Sequence, residues 1–116
     1  MGFIRAYAVS DPSKQEVDSL PGATLLEFGN PWCGYCRRAE PLIETAFAGH
    51  SSIRHIRISD ASGRRLGRSF QVKLWPTLVF LKDGKEITRL VRPQDPDIIR
   101  NAFDTIDPGR LLPVPG

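Results

Sequence analysis

A chain of 116 residues, 41% hydrophobic and 25% charged, has the size and composition of one folded unit that buries a core without staples. Its net charge of +3 is mild, and no apolar run approaches the roughly 20 residues of a membrane span, so neither nucleic acid nor membrane is expected as a partner. The densest basic cluster, Arg64, Arg65 and Arg68, lacks interleaved aromatics and reads as a solvated helix face.

In chain order, residues 3–9 are apolar enough for an edge strand. Asp11-Pro12 opens a short helix reaching about Leu20, with the proline in its first turn, and Pro21-Gly22 breaks it. Residues 23–29 form a nearly continuous apolar run, interrupted by Thr24 and Glu27, and read as a buried central strand. Residues 33–47 are the clearest helix, because Ala39, Leu42, Ile43, Ala46 and Phe47 make one apolar stripe. Pro41 inside it removes a backbone hydrogen bond and predicts a kink.

Residues 53–58 predict a strand and residues 60–70 a weak helix diluted by Gly63 and Gly67. Residues 77–81 and 86–91 predict two strands around Asp83-Gly84, a strong hairpin signal. Asp95-Pro96 caps a last helix carrying Ile99, Ala102, Phe103 and Ile106 on one face. The expected order is β-α-β-α-β-α-β-β-α, an α/β fold with a parallel core and an antiparallel final hairpin. Residues 1–106 are expected to form the domain and the proline-bearing residues 107–116 an extended surface tail. The opening Met1-Gly2-Phe3-Ile4-Arg5-Ala6 shows neither a charged leader with an apolar stretch nor a myristoylation pattern, so a cytoplasmic location is expected.

The chemistry rests on two cysteines, Cys33 and Cys36. A disulfide closing so short a loop stabilises weakly. Zinc wants further ligands, and only His50 and His55 could join the thiols, at a spacing that suits no common pattern; no metal or other cofactor is expected. Redox chemistry remains. Only a thiolate attacks a disulfide. Cys33 falls where the loop after the central strand meets a helix N-terminus, whose free N–H groups and dipole favour negative charge. Cys36, one turn further in, is expected to be less exposed and to keep a higher pKa.

Trp32-Cys33-Gly34-Tyr35-Cys36, Pro41 and the later Trp75-Pro76-Thr77 resemble the thioredoxin family over about residues 3–106. The resemblance implies a thioredoxin-like fold, a central mixed sheet with helices on both faces. It also implies a thiol–disulfide oxidoreductase in which Cys33 is the nucleophile and Cys36 the resolving thiol. The leading expectation is a dithiol reductase of protein disulfides, recharged by an electron-donating reductase or a small thiol and acting as a monomer. The alternatives are a disulfide oxidase or isomerase, or a non-catalytic binding module.

In the family, the proline matching Pro76 is cis and borders the substrate groove; without the family it is merely a strand-starting proline. The family carries a buried acid at the place of Glu27, which would accept the Cys36 proton, through water, as the intermediate resolves. The plain reading of Glu27 is a solvent-reaching side chain. Arg57 either modulates Glu27 or is exposed. His50 and His55 read as a helix-end cap and a strand-surface residue, and Trp32 as core packing or a lid on the site.

This sequence departs from the family at Gly29, where an aromatic residue is common. Trp75 replaces a smaller residue, and Leu74 and Arg92 stand where glycines line the groove. Trp32, Gly34, Tyr35, Trp75, Pro76 and Arg92 are thus the expected substrate-binding residues, in a groove bulkier and more positive than usual. Gly34-Tyr35 replaces the family's Gly-Pro and looks like the pair of bacterial periplasmic disulfide isomerases, whose dimerisation domain this sequence lacks.

Overall fold

A computed structural model describes residues 2–60 and 65–107. The chain runs α1 (Lys14–Asp18), β1 (Ala23–Gly29), α2 (Gly34–Ala46), β2 (Arg54–Ser59), α3 (Arg65–Ser69), β3 (Thr77–Lys82), β4 (Lys85–Val91) and α4 (Pro96–Asp104). The four-stranded sheet has the order β2-β1-β3-β4. β2 runs parallel to β1, reached through α2, while β3 is antiparallel to both β1 and β4. The β3–β4 turn places Asp83 and Gly84 at φ 51° and 79°, the left-handed pair that a two-residue hairpin demands.

Side chains alternate across the buried strands. Leu25, Leu78 and Phe80 join Ala39, Ile43 and Phe47 of the α2 segment and Ile99 and Phe103 of α4 in one core layer. Leu26, Phe28, Val79 and Leu81 face the opposite layer with Val17, Leu66 and Phe70. The fold is therefore thioredoxin-like, a mixed sheet with helices on both faces, as the resemblance implied. β1 is buried along its whole length, and its alternation puts Glu27 on the same side as Leu25.

The structure corrects several sequence expectations. Residues 3–9 are not a strand. They run beside β2, but His55 Nδ1 accepts the Ile4 N–H at 2.9 Å and Arg57 Nη1 donates to the Arg5 carbonyl at 2.6 Å. Side chains of β2 thus take backbone groups that a ladder would have used, and backbone pairing survives at Gly2–Ile53 and Ala8–Arg57. Pro12 lies outside α1, which Ser13 caps in a reciprocal box with Glu16. In the stretch expected as helix over residues 60–70, helix is found at Arg65–Ser69 and Asp60 is non-helical; residues 61–64 lie outside the described residues, as do 108–116 of the expected tail. Asp107 is buried rather than extended on the surface, and its carboxylate meets His50 Nδ1 at 2.7 Å. His50 is accordingly interior.

Candidate active site

β1 ends at Gly29, and Asn30 shapes the turn that follows. Its side-chain oxygen accepts the Trp32 N–H at 2.9 Å and its carbonyl accepts the Cys33 N–H at 3.3 Å. That turn delivers Cys33 to the N-cap of α2, with extended backbone and its sulfur accepting the Cys36 N–H at 3.2 Å. An N-cap acceptor satisfies a donor that the helix itself cannot pair, so the Cys33 sulfur takes the place usually held by a serine or aspartate oxygen. Cys33 is half-buried and Cys36 is 1% exposed, and both are free thiols. Burial, followed by the hydrogen bond with Cys33, pushes the Cys36 thiol up to about 12, as expected from the sequence.

Gly29 makes this packing possible. A β-carbon there would stand 2.7 Å from Cys36 Sγ and 3.6 Å from the Tyr7 hydroxyl, so the departure at this position is steric. The Tyr7 hydroxyl of the N-terminal segment borders the same point. Burial drives the Tyr7 phenol up to about 12, against the pull of Arg57. The Arg57 guanidinium lies 4.4 Å from the Tyr7 ring centre and donates to its hydroxyl at 3.3 Å.

Glu27 is wholly buried, which removes the solvent-reaching reading, but it is not immersed in an apolar layer. Arg57 pairs with it in the β1–β2 register and donates from Nη2 to Oε2 at 3.2 Å. Arg57 Nε also stands 3.2 Å from Oε1, an ion-pair distance without the alignment of a hydrogen bond. His55 Nε2 lies 2.8 Å from Oε1. Because Ile4 donates to Nδ1, the ring proton sits on Nε2 and His55 donates to Glu27. His55 is therefore a buried partner of Glu27, not a strand-surface residue. Arg57 extends the network outward to Glu40 at 2.8 Å, and Arg5 joins Glu40 and Glu44 at the surface.

On the other side of Cys33, the Trp75–Pro76 bond is cis, as the resemblance implied. The Trp75 carbonyl faces Cys33 Sγ at 3.9 Å and accepts Arg92 Nε at 2.9 Å. The Trp75 indole donates to the nearly buried Asp60 at 3.0 Å. Trp32 is 82% exposed, so it stands at the site's rim and not in the core. Tyr35 and Leu74 are also exposed, and the Arg92 guanidinium lies 3.8 Å from the Tyr35 ring centre. The structure thus gathers Trp32, Gly34, Tyr35, Trp75, Pro76 and Arg92 around Cys33, with Glu27 behind Cys36.

The thioredoxin family model matches residues 7–105. This chain belongs to the thioredoxin family. A thioredoxin of Chlamydia pneumoniae is 33% identical over 96 residues, 79% of this chain and 92% of that one. Thioredoxin 1 of Synechococcus elongatus is 27% identical over 101 residues, 85% of this chain and 94% of the relative. Among solved structures, thioredoxin 2 of Pseudomonas aeruginosa PAO1 in its reduced form is 47% identical with a TM-score of 0.79, covering 89% of this chain and 95% of that one. The thioredoxin relatives and the Cys33–Cys36 spacing make the chain a thiol–disulfide oxidoreductase. No helix among the described residues is long and apolar enough to cross a membrane.

Sequence reasoning missed Tyr7, His55 and Asp60 as parts of this thioredoxin site. For Tyr7 the signal was Gly29 itself, whose missing side chain lets the Cys36 sulfur approach the strand without showing what else borders that point. Trp75 at a position of smaller residues was the corresponding signal for Asp60, since a half-buried indole N–H seeks an acceptor.

Proposed function

We propose that this chain is a dithiol reductase of protein disulfides. The observation that carries the reading is the unequal placement of the two sulfurs, Cys33 at the accessible helix cap and Cys36 sealed behind it. The Cys33 thiolate attacks one sulfur of a client disulfide, forming a mixed disulfide and expelling the other client sulfur as a thiolate that takes up a proton. Cys36 then loses its proton and attacks Cys33 Sγ. The second client sulfur leaves, and the protein retains a Cys33–Cys36 disulfide. Two electrons and two protons from a reductase or a small thiol restore the dithiol.

Trp32, Gly34, Tyr35, Trp75, Pro76 and Arg92 border the client chain in this reading. Glu27 takes up the Cys36 proton. A pocket of about 280 Å³ lined by Tyr7, Cys36, Glu40 and Arg57 supports a water route from the sulfur as far as Arg57, which bonds Glu27 from the other side. A reducing compartment would drive the chemistry in the client-reducing direction.

The test is reduction of insulin in the presence of dithiothreitol, followed by turbidity, with Cys36→Ser alongside. Catalysed precipitation by the parent, and accumulation of client mixed disulfides by the variant, are the expected results. Precipitation no faster than with dithiothreitol alone would overturn the reading.

A further inference from the structure

The side of the site away from Cys36 carries a second feature. A pocket of about 410 Å³ lies between the start of α2 and the segment after β4, with Tyr35, Arg38, Leu42, Arg92 and Pro93 in its wall. Two guanidinium groups converge on one ring there. Arg92 stands 3.8 Å and Arg38 4.8 Å from the centre of Tyr35.

Stacking over an aromatic ring uses the face of a guanidinium and leaves its in-plane N–H donors available. Arg92 spends Nε on the Trp75 carbonyl. Among the described residues, neither Arg38 nor Arg92 has a carboxylate at ion-pair distance, whereas Arg5, Arg57, Arg89 and Arg100 each hold one. None of the residues lining the pocket is acidic. The backbone of Arg92 has φ 51°, a left-handed conformation unfavourable to any residue with a β-carbon. A cation is therefore held at a position that the backbone alone would assign to glycine.

We propose that Arg38 and Arg92, braced by Tyr35, form a carboxylate-binding pocket that selects client polypeptides with an acidic residue beside the target disulfide. The inference rests on reading the chain as a protein-disulfide reductase and names the clients of that same site. Charge complementarity identifies the occupant, since paired, edge-available guanidinium groups match the oxygens of an aspartate or glutamate. Position supports it as well. Cys33 Sγ and Arg92 Nε face the same Trp75 carbonyl oxygen. An extended client chain advances about 3.3 Å per residue, so a side chain within a few residues of its attacked cysteine meets the pocket.

The experiment uses disulfide-linked peptides that are identical except for the residue following the cysteine, which is Glu, Gln or Lys. Their second-order rates of reduction by the reduced protein are measured at low and high salt. The Glu peptide is expected to react roughly three- to tenfold faster than the Gln peptide at low salt, as one or two half-exposed charge pairs supply. The Lys peptide is expected to be slowest, and the differences to shrink as salt rises.

Arg38→Gln and Arg92→Gly should each reduce the Glu-to-Gln rate ratio, and together bring it to about one. Because the ratio is taken within one protein, a variant that folds poorly lowers both rates and leaves the ratio intact. Equal rates for the Glu and Gln peptides on the parent protein at low salt would overturn the pocket while leaving the reductase reading in place. So would a ratio that survives in the double variant. Failure to reduce any of the peptides would instead remove the reductase reading on which the pocket depends.

Discussion

His55 Nε2 donates to Glu27 Oε1 across 2.8 Å, with both side chains wholly out of water. The carboxylate thus has a neutral imidazole on one side and the Arg57 guanidinium on the other. Replacing Glu27 with Gln keeps the shape and removes the charge. We expect resolution of the mixed disulfide to slow by about 10²-fold, the usual worth of positioned acid–base help, while the first attack by Cys33 is largely retained. Stopped-flow reduction of a labelled client separates the two steps. Unchanged turnover from pH 6 to 8 would remove the proton-accepting role of Glu27.

The same substitution leaves Arg57 buried without its interior counter-charge. Uncompensated buried charges typically cost about 3 kcal/mol or more, partly relieved here because Arg57 retains Glu40. Urea unfolding of Glu27→Gln should show that loss, and Glu27→Gln combined with Arg57→Leu should recover part of it.

Burial separates the two thiols in reactivity. At neutral pH, limiting iodoacetamide is expected to modify Cys33 well before Cys36, whose thiol lies up at about 12. Peptide mapping after brief labelling decides the order, and preferential modification of Cys36 would reverse the assigned roles.

Stability at alkaline pH follows from Cys36 and Tyr7. The folded, reduced protein holds the Cys36 proton up to about 12, whereas the unfolded chain releases it near the ordinary value of 9.0. Between those values the folded state binds more protons, so its stability falls as pH rises. Tyr7, raised from 10.0 to about 12, adds to the decline over the upper part of that window. Urea midpoints from pH 8 to 11 should fall more steeply for the reduced than for the oxidised protein, because a disulfide has no thiol to titrate. Tyr7→Phe should flatten the slope above pH 10 in both.

Arg92 bears on the direction of the redox chemistry. Its guanidinium is anchored to the carbonyl that faces Cys33, and a cation there favours the thiolate, which exists only in the reduced form. We expect Arg92→Gly to make the reduction potential more negative by up to about 30 mV, equivalent to about 1.4 kcal/mol for two electrons. Equilibration of both proteins against glutathione measures the shift, and an unchanged potential would remove Arg92 as a cause.

The cysteine-bearing helix, the central strand and the final hairpin were legible because each combines a clear period with local punctuation: the apolar stripe from Ala39 to Phe47, the run ending at Gly29, and Asp83-Gly84. The polar interior was not. His55 and Arg57 alternate with Ile56 and Ile58 along β2, and a period of two tells which residues share a face without telling which face is covered. That depends on residues 3–9, whose path is set by hydrogen bonds to those same two side chains. Propensity also suggested a strand for residues 3–9, since nothing local reveals that side chains intercept the backbone groups. Likewise, the Arg38–Tyr35–Arg92 stack joins residues far apart in the sequence, beyond the reach of any local pattern.

The bare α-carbon of Gly29 has a consequence for oxidative damage. Beside the Cys36 sulfur the pocket is bordered by Tyr7 together with Arg5 and Ala6, and Tyr7 is held to the rest of the protein through Arg57 and not through a sheet ladder. A chain shortened past Tyr7 would keep the sheet and both cysteines but open the resolving sulfur to peroxide. The sulfur would then be exposed to progression from sulfenic to sulfinic acid, a state that dithiol donors do not reverse. The first segment of the chain is therefore expected to guard the repairability of the site, a property that turnover measured under reducing conditions would not reveal.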